Sequence, residues 1–253
     1  MPKIISVHSY RGGTGKSNTA SNLAVILAQQ GNRVAVIDTD IQSPGIHVLF
    51  GFRKDNINSS LNDYLWGKIN IEDAVYNVSD RLLESNKKAG SLFLIPSSIK
   101  MGDIARVLRE GYDVDRLNDG YRKLIKDFQL DYLIIDTHPG LNEETLLSIT
   151  VSNILCIILR PDQQDYQGTA VTVDIARKLN VEKLFLVVNK TPEIFDFHDL
   201  KKKIEAIYDA PVAGIIPHSD DMMILGSSSI FALSNPSHPI TKILEEIVHN
   251  IIC

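Results

Sequence analysis

The chain is poor in cysteine. Its 253 residues carry two, Cys156 and Cys253. Two cysteines so far apart make no disulfide framework and no C-x-x-C metal or redox motif. Cys156 stands in the apolar run 154–159 and reads as a buried strand residue. Long apolar stretches are also missing: no run approaches the roughly 20 residues that a membrane-spanning helix needs. The opening Met1-Pro2-Lys3-Ile4-Ile5-Ser6-Val7 is too short and mixed for a signal peptide. No long block of one charge occurs, and the net charge of −5 argues against a dedicated nucleic-acid binder, though not against a local basic patch. Internal repeats and low-complexity linkers are absent. The expectation is a protein of the reducing cytosol. With 44% apolar and 23% charged residues it can bury a core without disulfides or metals.

What is present is alternation. Short apolar runs at residues 4–8, 34–38, 92–95, 132–136, 154–159, 184–189 and 212–216 read as strands, several of them apolar nearly throughout. Amphipathic segments at 18–30, 115–128, 166–179 and 200–208 lie between them. Strands alternating with helices imply right-handed βαβ units and a doubly wound, mostly parallel sheet flanked by helices. Residues 43–90 are the least regular and are expected to hold short helices and loops. One domain over residues 1–253 is the economical organisation. In such sheets ligands bind beyond the carboxyl ends of the strands. Polar residues collect there: 9–17, 38–43, 136–140, 160–168, 189–190 and 217–221.

The first of these clusters is Ser9-Tyr10-Arg11-Gly12-Gly13-Thr14-Gly15-Lys16-Ser17. Its glycines let the backbone aim several N–H groups at one point, and the following helix adds its positive end. Lys16 supplies a full charge for β- and γ-phosphates, and the Ser17 hydroxyl suits Mg²⁺. The standard Walker A pattern wants glycine where Tyr10 stands, so the fit is to the deviant form Lys-Gly-Gly-x-Gly-Lys-Ser/Thr. A chance glycine-rich turn is a poor explanation, because the motif falls between a strand and a helix.

Two more strands end in carboxylates: Asp38-Thr39-Asp40, and Asp136-Thr137-His138-Pro139-Gly140. A carboxylate at the end of a buried strand is costly unless compensated, and a Mg²⁺-bound triphosphate compensates it. Asp136 is the Walker B candidate, holding Mg²⁺ through water. Asp40 is the candidate for orienting the attacking water, and Asp38 for supporting the metal from behind. Each alone would be read as a helix cap or turn carboxylate; together with a phosphate loop they are not.

These motifs, with Leu92-Phe93-Leu94-Ile95-Pro96-Ser97-Ser98, Val187-Val188-Asn189-Lys190, Gly214-Ile215-Ile216-Pro217 and Asn235-Pro236-Ser237-His238-Pro239, run in order along nearly the whole chain. In this the chain resembles the ParA/MinD family of deviant Walker ATPases, on its MinD side. The resemblance implies a P-loop fold that binds ATP or ADP with Mg²⁺ through Gly12, Gly13, Thr14, Gly15, Lys16, Ser17 and Asn18. It implies that Asn189 and the segment after Pro217 hold adenine. It further implies an ATP-dependent sandwich dimer, slow hydrolysis triggered by an activating or cargo-adaptor protein, and a spatial switch that positions or partitions a cargo.

The family's signature lysine, which reaches the partner's phosphates, is replaced by Arg11. Arginine keeps the charge and binds phosphate bidentately, so Arg11 is expected to act in trans. If it does not, the chain reads instead as an ATP-binding regulatory module with negligible turnover. His138 stands where the family has a small residue or proline. It suits either a γ-phosphate sensor or, more simply, a turn residue. The segment 160–165 suits a partner-facing edge or a solvated loop equally. Asn189-Lys190-Thr191-Pro192 lacks the aspartate that reads guanine, which favours ATP over GTP. Without paired cysteines an iron–sulfur role is not expected. Ile240, Ile243, Leu244, Ile247, Val248, Ile251 and Ile252 repeat with helical spacing. Their polar face carries Glu245 and Glu246 against Lys242, which favours a helix packed on the sheet over one docked on anionic lipid. A DNA surface would draw on Lys201, Lys202 and Lys203, or on Arg106, Arg109, Arg116, Arg122, Lys123 and Lys126. The second group is interleaved with acidic residues and reads as a solvated face.

Overall fold

A strand such as Ile154–Leu159, apolar at every position, has no polar face to offer water, so helices must cover both of its sides. The computed structural model, which describes residues 1–82 and 90–253, meets that demand. Among the described residues the strands are β1 (Lys3–His8), β2 (Arg33–Asp38), β3 (Tyr76–Asn77), β4 (Ser91–Ile95), β5 (Tyr132–Asp136), β6 (Ile154–Leu159), β7 (Lys183–Thr191) and β8 (Val212–Pro217). The helices are α1 (Lys16–Gln29), α2 (Ile46–Leu49), α3 (Leu61–Leu65), α4 (Met101–Glu110), α5 (Val114–Asp127), α6 (Glu143–Val151), α7 (Gln163–Lys178), α8 (Phe197–Tyr208), α9 (Asp220–Leu225), α10 (Phe231–Ser234) and α11 (Pro239–Ile252).

The strands form one sheet in the order β3-β4-β2-β5-β1-β6-β7-β8. All pairings are parallel except the short edge pair β3–β4. Side chains alternate across it. Ile154, Cys156 and Ile158 of β6 join a core with α1, α10 and α11, while Leu155, Ile157 and Leu159 join one with α7 and α8. A third cluster packs α3 and α5 against Ala35, Ile37, Leu133 and Ile135. This is a doubly wound α/β fold. Because the chain leaves β1 towards β2 and returns to the other side only at β6, β1 sits at the topological switch, where the ligand crevice of such sheets lies.

The expected strands all form, within a residue or two. The short antiparallel β3 and helix α6 had no clear period to mark them, and the amphipathic α4 was not among the expected segments. Of the irregular segment 43–90, residues up to 82 do hold short helices and turns. Residues 83–89 lie outside the described residues.

The apolar stripe of α11 is spent inside the protein. Ile240, Leu244, Ile247, Val248 and Ile251 are buried against α1 and β8. Gly214 of β8 leaves the space that Ile247 fills, since a Cβ there would collide with it. Among the described residues no helix is long and apolar enough to cross a membrane. Ile247→Ala is expected to destabilise the protein by about 2–5 kcal/mol, seen as a lower urea midpoint at unchanged m-value.

Candidate functional site

Between β1 and α1 the chain turns through Gly13 (φ 79°) and Gly15 (φ 96°), both left-handed. Gly15 has no substitute: besides its φ, a Cβ would run into Asn189 Nδ2. No side chain caps α1 and its first turn holds no acidic residue, so the N–H groups of that turn are left for an anion. Lys16 Nζ meets Asp136 Oδ1 at 2.6 Å, both groups buried. Ser17 lies beside the same carboxylate. Thr14 Oγ1 is buried without a partner among the described residues.

The three strand-end carboxylates converge because β2 and β5 are neighbours, with Asp38 paired to Asp136 in register. Both oxygens of Asp38 accept backbone N–H groups, from Asp40 (3.0 Å) and Gly45 (3.3 Å). Burial, then the charges of Asp136 and Asp40, hold its carboxyl well above the ordinary range. Burial also raises Asp136, with Lys16 pulling the other way. Asp136 Oδ2 is buried with no hydrogen-bond partner among the described residues. An unpaired carboxylate oxygen beside a hydroxyl suits Mg²⁺, which takes one or two carboxylates and keeps phosphate and water for the rest. Among the described residues no group of three or more His, Cys, Asp or Glu is placed to hold a metal ion by itself.

On the far side of the loop a cleft of about 380 Å³ opens between Asn18, Asn189, Pro217, Met222, Met223 and Ser227. Asn18 Nδ2 bridges it to Ser227 Oγ at 3.3 Å. Asn189 Nδ2 donates to Thr14 O at 2.8 Å, and Lys190 Nζ donates to Gly13 O at 2.8 Å. Lys190 itself sits at φ 55°, within an irregular stretch of the β7–β8 ladder.

The AAA domain family matches residues 2–186, most of the chain. Septum site-determining MinD proteins of Synechocystis sp. and Thermotoga maritima are each 24% identical to the chain, over 90% and 99% of its length. The chain belongs to the ParA/MinD family of P-loop ATPases. An uncharacterized ATP-binding protein of Methanocaldococcus jannaschii is 28% identical over the whole chain and 88% of its own length. Among solved structures, the cell division ATPase MinD of Pyrococcus furiosus superposes with a TM-score of 0.80 at 20% identity, covering 100% of this chain and 99% of that one. The septum site-determining protein MinD of Pyrococcus horikoshii, solved with Mg-ADP, gives 0.79 at 19% identity over 99% and 96% of the two chains.

Within this ParA/MinD frame four placements were not legible beforehand. Arg11 is engaged inside its own chain: its guanidinium bonds Gln164 Oε1 and lies 3.7 Å from Asp165. Residues 160–162 link β6 to α7, and residues 163–165 form the first turn of that helix. Asp162 caps α7, and buried Asp165 takes Arg160 bidentately at 3.0 and 3.2 Å. Tyr10 leans on α7, its ring against the bare backbone of Gly168. His138 bonds Asp40 rather than closing a turn, with Nδ1 to Oδ1 at 2.6 Å. That bond, ahead of the opposing cost of burial, raises the His138 pKa. The candidate basic surface is partly tied up: Arg106 pairs with Glu110 and stacks over Trp66, and Lys123 pairs with Glu72.

His8, at the end of β1, was passed over as a strand residue. Thr137 Oγ1 gives its hydrogen to Val7 O, so it accepts from His8 Nδ1 at 2.8 Å. The other ring nitrogen is buried without a partner among the described residues. Burial, then the nearby charges of Lys16 and His138, drive the His8 pKa from 6.5 down to about 3. The unfolded chain therefore takes up a proton at His8 below pH 6.5 that the folded chain refuses. Stability is flat above that value and falls as pH drops through the window between the two pKa values. Between about pH 7.5 and about pH 5 the loss from this group is about 2 kcal/mol. Urea midpoints at the two pH values are expected to differ less in His8→Asn than in wild type.

Proposed function

We propose that residues 1–253 work as one ATPase domain that binds Mg-ATP, dimerises on ATP and hydrolyses it slowly, serving as a spatial switch for a cellular cargo. The observation that carries this reading is the convergence at one crevice of an uncapped glycine loop, the Lys16 ammonium and three strand-end carboxylates. Only a ligand that is both polyanionic and cation-bearing satisfies both halves.

In this reading Gly12, Gly13, Thr14, Gly15, Lys16, Ser17 and Asn18 hold the phosphates. Asp136 and Ser17 hold Mg²⁺, with Asp38 fixing the strand end behind them. The bound metal would neutralise charge growing on the transferring phosphoryl group. Lys16 exchanges its Asp136 contact for phosphate, and Asp40 orients the attacking water. Asn189 and Pro217 flank the adenine cleft; Asn189 acts there chiefly by pinning the loop through Thr14 O. Catalysis of this kind is positioning and electrostatics, which a preformed crevice supplies.

Arg11 is assigned to the partner's phosphates, and Gln164 and Asp165 hold it until the dimer forms. The same contacts favour the second reading. An arginine that stays with Gln164 and Asp165 would leave an ATP-binding module that recruits a partner without turnover. The expected partners are a second copy of this chain and an activating or adaptor protein.

Solution mass separates the readings. With Mg-ADP the 28.2 kDa chain is expected as a monomer, and with Mg-ATP as a dimer. Arg11→Ala is expected to stay monomeric in ATP, and Asp40→Ala to dimerise but lose turnover by about a hundredfold. A mass indifferent to nucleotide removes the switch. Dimers of wild type and Asp40→Ala with equal, near-zero turnover in the adaptor's presence select the recruiting module.

A further inference from the structure

Asp38 and Asp136 face each other at the last rung of the β2–β5 ladder. The residues two places beyond, Asp40 and His138, lie side by side past the sheet edge, and they bond. His138 Nδ1 meets Asp40 Oδ1 at 2.6 Å, and the backbone N–H of Ser43 reaches the same oxygen at 3.1 Å. An ionised carboxylate only accepts, so the ring donates from Nδ1, whether neutral or charged. Oδ1 thereby has both its acceptor directions in use, and Oδ2 is left outside these bonds.

The ring is not needed to hold its own loop. Thr145 Oγ1 donates to the His138 carbonyl at 3.3 Å from the start of α6, where Asn142 caps the helix. Gly140 N donates to Ser9 O at 3.1 Å, tying the same turn to the phosphate loop. Backbone contacts thus secure residues 138–140, and the imidazole is free to serve a neighbour. It is partly sheltered, with the charged groups of Lys16 and Glu144 as its other surroundings. Such a bond in a low-dielectric crevice is worth more than on the surface.

We propose that His138 is a positioning residue for Asp40: its Nδ1–H locks Oδ1 and so presents Oδ2 to the reacting water. This rests on the reading of Asp40 as the group that orients that water. A carboxylate free to rotate would offer either oxygen at varying distance, and a misplacement of this kind lowers turnover without touching nucleotide affinity.

The test compares kcat, KM and fluorescent-ATP affinity for wild type, His138→Ala, His138→Asn, Asp40→Ala and the His138→Ala/Asp40→Ala double variant. His138→Ala is expected to lower kcat about tenfold or more, the worth of a hydrogen bond to a charged group, with KM and affinity unchanged. His138→Asn, whose amide N–H stands where Nδ1 stood, is expected to recover most of that loss. The double variant is expected to be no slower than Asp40→Ala. Full activity in His138→Ala with an inactive Asp40→Ala overturns the role of His138 alone. Equal losses in the alanine and asparagine variants overturn it too. An active Asp40→Ala removes the reading of Asp40 beneath it. Nitrogen NMR of the resting protein gives a readout independent of turnover: the ring proton is expected on Nδ1 in wild type and on Nε2 in Asp40→Ala. A wild-type ring protonated at Nε2 alone overturns the proposal.

Discussion

The ligand edge depends on the ion pair between Lys16 and Asp136. Two buried charges 2.6 Å apart tolerate each other's burial, and neither would be tolerable alone. The pair fixes the direction of the glycine loop, because Lys16 is the first residue of α1 and Asp136 the last of β5. It also sets Lys16 against three converging carboxylates, of which Asp38 and Asp136 are held towards their neutral forms by burial and crowding. A crevice in this condition is short of cation on one wall and short of anion on the other. Its resting state is a substitute arrangement, in which the lysine lends Asp136 the charge that a ligand would bring.

Around this pair the fold supplies rigidity by ordinary means. The helices bury both faces of a sheet whose central strands are apolar, so the strand ends cannot drift. The loop's carbonyls are fastened from behind by Asn189 and Lys190, and the turn after β5 by Ser9 and Thr145. Tyr10, standing where the ordinary motif has glycine, adds an aromatic prop against Gly168 and links the loop to α7, which also carries the partners of Arg11.

Much of this could be read beforehand. The apolar runs marked the parallel strands because two-sided burial removes the polar alternation, and the glycine loop and strand-end aspartates, which the fold brings to one crevice, marked the candidate site because their chemistry is expensive anywhere else. The apolar stripe of α11 was also legible, and its acidic outer face pointed to packing on the sheet. The rest depends on which strands become neighbours. Nothing local in Asp40 or His138 says that β5 returns to lie beside β2, so their bond was invisible, and His138 passed as a turn residue. His8 was hidden for the related reason that a strand's last side chain takes its meaning from the strand next to it. The edge strand β3 is too short to carry a period. Arg11 was legible as a charge but not as one already engaged by Gln164 and Asp165, since α7 begins more than a hundred residues later.

The departure of β7 from regularity has a consequence of its own. In an unbroken strand consecutive side chains point to opposite faces, so Asn189 and Lys190 should be unable to reach the same loop. The left-handed turn at Lys190 cancels that parity, and adjacent residues fasten adjacent carbonyls, those of Thr14 and Gly13. Asn189 and Lys190 also border the cleft assigned to adenine. The backbone irregularity therefore makes one mechanical joint of two recognition surfaces: whatever seats itself against β7 presses, through two side chains of one dipeptide, on the curvature of the phosphate cradle.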